Sequence, residues 1–320
     1  MFQHILVPLD GSGRAENALP IAARIARATG GSLLLLRVAP LLTVPKDVFQ
    51  REYQRVSAYL GDKKHAEELQ GIPVETHVVV GSVPQQILSS IESANIDLVV
   101  MCSRGETGLK RWAWGSVAQK VIRYSRASVL VLRESSGILN NQHPAGQRPL
   151  RLLVALDGSA LAETTLVPAA TLATALSMPE KGEFHLVQVV PLPEPSNAAE
   201  ALSEARQLDL SVAQTYLQSA VESLQGKENL TITTSVVVCP DVADALIRTA
   251  EDGLPATEEM GSNNPCDVIA LATHGRSGIE RWVLGSIAER ILDGTRLPLL
   301  VVHPAWRSER PDIEPASLLT

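Results

Sequence analysis

Apolar positions along the chain come in short runs separated by longer amphipathic stretches. The segments HILVPL (4–9), SLLLLRV (32–38), IDLVVMC (96–102) and SVLVLR (128–133) are nearly unbroken apolar runs, as expected of strands covered on both faces. VETHVVV (74–80) alternates apolar and polar residues and reads as a further strand. Between them, positions 14–29, 46–70, 84–94 and 116–125 carry apolar residues at helical spacing. The order βαβαβαβαβ predicts a parallel sheet with helices on both faces, right-handed crossovers, and any ligand at the carboxyl ends of the strands. Pro20 falls inside the first helical pattern and predicts a kink or early break there.

The same pattern occurs twice. HILVPLDGSGRAENALPIA (4–22) matches RLLVALDGSALAETTLVPAA (151–170), and Pro168 repeats the Pro20 interruption. RGETGLKRWAWGSVAQKVI (104–122) matches HGRSGIERWVLGSIAERIL (274–292). Over the 20 positions starting at Gly105 and Gly275, seven are identical, where ordinary residue usage gives about one. A period this long means two copies of one domain. The expected division is a first domain over 1–134, a linker over 135–149 rich in Gly, Ser, Asn, Gln and Pro, a second domain over 150–304, and a tail over 305–320. The second copy is longer, chiefly through the polar, turn-forming segment 251–267.

Composition narrows the classes of function. A net charge of −7 lacks the basic footprint of a nucleic-acid binder. No apolar run reaches the ~18 residues of a membrane span, and MFQHILVPLD reads as a strand in place of a secretory leader, so a cytoplasmic protein is expected. Three scattered cysteines, Cys102, Cys239 and Cys266, make neither a disulfide framework nor a zinc site. No Ser/His/Asp or Cys/His arrangement and no spaced metal ligands appear, so the chain does not read as an enzyme.

Chemistry concentrates in the two glycine loops. In Ala272–Ser286, ATHGRSGIERWVLGS, glycines precede a helix that begins near Ile287. Ser286 is placed as its N-cap with Glu289 completing a capping box, and Ser116 with Gln119 repeats the arrangement. Free N–H groups and the positive end of the helix dipole favour a phosphate there, although the glycines can equally serve only to shape a turn. Neither the P-loop spacing with its lysine nor a dinucleotide GxGxxG is present. Asp10 and Asp157 lie at the end of the first strand of each copy, at the same sheet edge as the loops; DGS after a strand is also an ordinary helix start. Cys102, at a strand end near a helix N-terminus, stands where a thiol pKa can fall.

The strand-one Asp in PLDGS and ALDGS, the spacing Gly-two-Gly-nine-Gly-Ser read as CSRG…GS (102–116) and ATHG…GS (272–286), and the closing strands SVLVLR and LPLLVVH resemble the universal stress protein family in tandem form. The resemblance covers both copies. It implies two tandem doubly wound Rossmann-like domains, each with a five-stranded parallel sheet flanked by helices, and in one branch of the family ATP or a related adenine nucleotide, with or without magnesium. Carried onto this chain, it implies contact of the adenosine half with Ala155, Leu156, Asp157 and Val189. The phosphates would meet Ala272, Gly275, Gly285, Ser286 and the N–H of Ile287, and Leu271, His274 and Arg276 complete the expected nucleotide site. The matching positions of the first copy are Pro8, Leu9, Asp10, Val38, Met101, Cys102, Gly105, Gly115, Ser116 and Val117. It also implies that the last strands, 128–133 and 297–303, join the copies as an internal pseudo-dimer, with homodimerisation of whole chains left open.

Two departures rank the sites. The first signature glycine is Ala272 in one copy and the bulkier Cys102 in the other. After the second glycine, Arg276 brings a positive charge where the first copy has Glu106, which repels a triphosphate. The second site is therefore expected to bind nucleotide better, in a stress-response or regulatory protein with at most slow ATP hydrolysis. The competing expectation is a partner-binding module that keeps the fold without the ligand.

Overall fold

The computed structural model describes residues 1–39, 46–103, 115–133, 149–191, 199–224, 229–253, 264–273 and 284–303. The first half has strands β1 (His4–Pro8), β2 (Ser32–Ala39), β3 (Val74–Val80), β4 (Leu98–Cys102) and β5 (Ser128–Leu132). Its helices are α1 (Gly13–Glu16), α2 (Ala18–Thr29), α3 (Lys46–Lys64), α4 (Val83–Ser93) and α5 (Ser116–Tyr124). The second half repeats them as β6 (Arg151–Leu156), β7 (Gly182–Val190), β8 (Leu230–Val238), β9 (Val268–Ala272) and β10 (Leu299–Val302). Its helices are α6 (Ala160–Glu163), α7 (Leu166–Ser177), α8 (Ala199–Ser223), α9 (Val242–Glu251) and α10 (Ser286–Gly294).

All ten strands form one sheet in the order β3-β2-β1-β4-β5-β10-β9-β6-β7-β8. Within each half the strands run parallel. The halves join where β10 lies antiparallel to β5, pairing Leu299 with Val131, Leu300 with Leu130 and Val301 with Val129. The apolar last strands thus cover one another, and the alternating strands β3 and β8 become the outer edges, where one polar face can meet water.

Successive strand residues go to opposite faces, which explains the unbroken apolar runs. Leu130 and Leu300 join one core with Leu19, Ile25, Leu60 and Leu172. Val129, Val131 and Val301 join the other with Ile87, Ile91, Val121 and Ile291. Each core spans both halves, so the molecule has three layers, with the sheet in the middle. Across the join α2 packs on α7, the Arg24 guanidinium donates to the Leu176 carbonyl, and Arg123 pairs with Glu289.

The proline effect is visible, one turn earlier than the ring itself. The first helical pattern breaks at Asn17, between α1 and α2, and Pro20 is the third residue of α2. Pro168 holds the same place in α7. A first-turn position needs no intrahelical N–H, so the chain restarts its helix just ahead of the proline. Ser12 and Ser159 cap the short leading helices, accepting from Ala15 N at 3.2 Å and Ala162 N at 3.1 Å. The pattern read as a helix over 46–70 ends at Lys64, followed by a single 3₁₀ turn at Glu67–Leu69.

Candidate functional site

In the second half the ends of β6, β7 and β9 and the start of α10 surround a cleft of about 430 Å³, flanked by α8 and α9. After β6 the chain turns sharply at Gly158, whose φ of +82° suits glycine. Asp157 braces that turn: its Oδ1 accepts from the Ser159 N–H at 3.0 Å and from the Ser159 hydroxyl at 2.6 Å. At the other wall, the Gly285 N–H donates to the Thr273 carbonyl at 2.9 Å. The first N–H of α10 to return into the helix is that of Glu289, to the Gly285 carbonyl at 2.9 Å. The N–H groups of Ser286, Ile287 and Ala288 precede it in the first turn, where the dipole is positive and all three residues line the cleft.

The N-cap is Gly285, not Ser286, and it makes no side-chain cap bond. Gly115 likewise caps α5 in place of Ser116. The expected capping boxes are corrected by one residue, because the main chain already has the extended cap conformation at glycine, with φ −60° and ψ 147° at Gly285. Ser286 becomes the first helical residue, its hydroxyl not consumed by the cap, and Glu289 turns to Arg123 across the join.

Of the positions singled out from sequence, Ala155, Leu156, Asp157, Val189, Leu271, Ala272, Gly285, Ser286 and Ile287 all line this one cleft. His274, Gly275 and Arg276 lie outside the described residues, as do Arg104, Gly105, Glu106 and the loop tryptophans Trp112, Trp114 and Trp282. Lining groups not foreseen are Gln188 on β7, Asp209, Val212 and Ala213 on α8, and Val242 and Leu246 on α9. Gln188 had a signal, a single amide interrupting HLVQVV; the α8 residues are some fifty positions from Asp157 and had none.

The first half builds the same frame with different neighbours. Asp10 Oδ1 accepts from the Ser12 N–H at 2.9 Å and hydroxyl at 2.5 Å, and Gly11 takes φ +84°. Pro8 and Leu9 lead into this turn, Val38 stands on β2, and Gly115, Ser116 and Val117 open α5. Gly115 donates to the Ser103 carbonyl at 2.8 Å. Met101 is buried in the core on the α4–α5 side. Pro8 is in register with Leu36 and Ala155 with Val187, so Arg37 occupies the place of Gln188. The Arg37 guanidinium donates to the Leu9 carbonyl at 3.2 Å and lies 3.4 Å from where a Cβ on Gly11 would sit. Glu16 accepts from the Tyr59 hydroxyl at 2.9 Å and the Lys63 ammonium at 2.7 Å.

Cys102 is not an activated thiol. Its S–H donates to the Arg14 carbonyl at 2.8 Å. Burial, reinforced by the Asp10 charge, pushes its pKa up to about 12. The helix terminus does not offset these effects. Among the described residues no group of three or more His, Cys, Asp or Glu side chains is placed to hold a metal ion, and no described helix is long and apolar enough to cross a membrane.

The chain is similar to known proteins along nearly its whole length. The model of the universal stress protein family matches residues 1–133 and 150–303. A universal stress protein of Methanocaldococcus jannaschii is 30% identical over 146 residues, covering 42% of this chain and 84% of its own. One from Mycolicibacterium smegmatis is 24% identical over 320 residues, covering 94% of this chain and 97% of its own. Among solved structures, a universal stress protein from Archaeoglobus fulgidus superposes with a TM-score of 0.63 at 18% identity, over 95% of this chain and 99% of that one.

Proposed function

The chain belongs to the universal stress protein family, and we propose that its second half binds ATP or a related adenine nucleotide as a regulatory ligand, in the cytoplasm. The observation that carries this reading is convergence. The Asp157 turn and the open first turn of α10, far apart in sequence, border one cleft of about 430 Å³, within the range of small-ligand sites. The N–H groups of Ser286, Ile287 and Ala288 would receive phosphate, with the Ser286 hydroxyl as a further donor. His274, Gly275 and Arg276 belong to the same proposal. The nucleoside would lie toward Ala155, Leu156, Asp157 and Val189, and magnesium would arrive with the phosphates.

The proposal is one of binding, with any hydrolysis slow. Bound nucleotide would instead stabilise the folded chain by mass action. In the first half, the Arg37 guanidinium beside Gly11 and the half-buried Cys102 favour a weaker or empty site. Denaturing the purified protein and assaying released nucleotide, then titrating ATP and magnesium into the stripped chain, tests the proposal. Release or saturable binding of one equivalent is expected. No nucleotide and no binding would leave the partner-binding reading of the same fold.

A further inference from the structure

Strand β7 sends Phe184 and Leu186 into the core beneath α7 and α8, and Gln188, two residues on, faces the same side at the strand's end. There it lines the cleft while remaining 9% exposed. Its amide oxygen is buried and accepts no hydrogen bond among the described residues. Buried polar atoms are nearly always paired, and an unpaired one is costly. The first half avoids that cost: Arg37, in the same register, has its guanidinium bonded to the Leu9 carbonyl. Among the described residues, an orphaned acceptor at this register is found in the second half alone.

Its position decides which part of a ligand it can meet. The sheet order β9-β6-β7 puts Gln188 two strands from Ala272 and the α10 terminus, roughly 10 Å across the sheet. A phosphate held by the first turn of α10 leaves the opposite end of the nucleotide over β7. We infer that Gln188 is a specificity-determining residue, its buried amide oxygen accepting a hydrogen bond from an N–H or O–H on the nucleoside part of the ligand. The inference rests on the nucleotide reading of the cleft and adds the group by which that cleft tells one nucleoside from another.

The donor is either a ribose hydroxyl or the exocyclic amine of the base, and analogues separate them. The full chain and its Q188L and Q188M variants are titrated calorimetrically with ATP, with 2′-deoxy-ATP and 3′-deoxy-ATP, and with the purine riboside triphosphate that lacks the 6-amino group. The variants are expected to bind ATP about tenfold more weakly, the worth of one hydrogen bond made in a buried site. One analogue should lose the same factor on the native chain and nothing further on the variants, and it identifies the donor. Without nucleotide, Q188L should melt at or above the native temperature, because the substitution removes an unpaired polar atom. A lower melting temperature overturns the inference, as does ATP binding by both variants within twofold of native. Analogue discrimination that survives in both variants overturns it too. If the native chain binds none of the four triphosphates, the nucleotide reading falls and takes this inference with it.

Discussion

Asp157 has two roles to separate, and the geometry allows it. Its Oδ1 accepts two hydrogen bonds from Ser159, at 3.0 Å from N–H and 2.6 Å from hydroxyl, while the residue also lines the cleft. Asp157→Ala removes both bonds and strands the donors. At about 1 kcal/mol for a neutral pair and somewhat more for a charge-assisted one, the loss sums to about 2–3 kcal/mol. For a domain of this size that lowers Tm by about 5–10 °C. Asp157→Asn keeps an oxygen that can accept both bonds, so its cost should stay under about 1 kcal/mol. Asp10 makes the same two bonds to Ser12 and supplies the control: Asp10→Ala should lose similar stability and Asp10→Asn little, and neither should alter ATP binding at the second cleft. Thermal melts with and without ATP on all four variants give the answer. Equal melting of Asp157→Ala and the native chain would refute the turn argument. Asp157→Asn binding ATP with native affinity would show that the carboxylate serves the turn alone.

Three further outcomes are open to measurement. A Cβ on Gly285 would stand 3.3 Å from the Thr273 carbonyl, so Gly285→Val crowds the start of α10; nucleotide affinity should fall on the order of tenfold, whereas Gly115→Val should leave it unchanged. Greater loss from the first-half change would reverse the ranking of the halves. His185, 4% exposed and held between Thr233 at 2.7 Å and Ser235 at 3.0 Å, has its pKa pushed down to about 4 by burial and then by Arg151. The unfolded histidine takes up a proton near pH 6.5 that the folded one refuses until about 4, so stability is full above 6.5 and declines as pH falls through that window, by at most ~3 kcal/mol. His185→Gln should flatten the dependence of urea midpoint on pH between 6.5 and 4. With its pKa near 12, Cys102 should alkylate with iodoacetamide at pH 8 about a thousandfold more slowly than a free cysteine, and rapid labelling would contradict the Arg14 hydrogen bond.

Much of the fold is written in local pattern. Apolar runs of β4 and β5 and their counterparts show strands covered on both faces, and the internal repeat shows that the two halves share one fold. Pro20 and Pro168 mark the helix break because a missing N–H is a local fact, though its position one turn upstream depends on how the helix restarts. The one-residue error at Ser286 and Ser116 has a similar source: serine has the better capping side chain, but the cap is set by backbone angles that glycine adopts here. Illegible in sequence are contacts that depend on register between distant elements. The facing of Gln188 into the cleft and the approach of Asp209 and Ala213 from α8 follow only once β7 is laid beside β6.

Among the described residues, the two halves differ less at the starts of α5 and α10 than around the Asp turns. Both α5 and α10 begin at a glycine cap with a serine first in the helix, and in both the cap glycine is tied back to the residue after the preceding strand. Around the Asp turn they diverge. Arg37 in the first half bonds the Leu9 carbonyl and faces Gly11, and Lys63 bonds Glu16 next to Tyr59. In the second half Tyr216 again stands by Glu163, yet four residues on the chain carries buried Ala220, and Gln188 replaces Arg37. At this register the first half bonds Arg37 to its own Leu9 carbonyl, while the second keeps the Gln188 acceptor open to the cleft. Local satisfaction is what a chain selected only for folding would show in both places, and its breach in one of two otherwise matched sites is where a ligand should be sought.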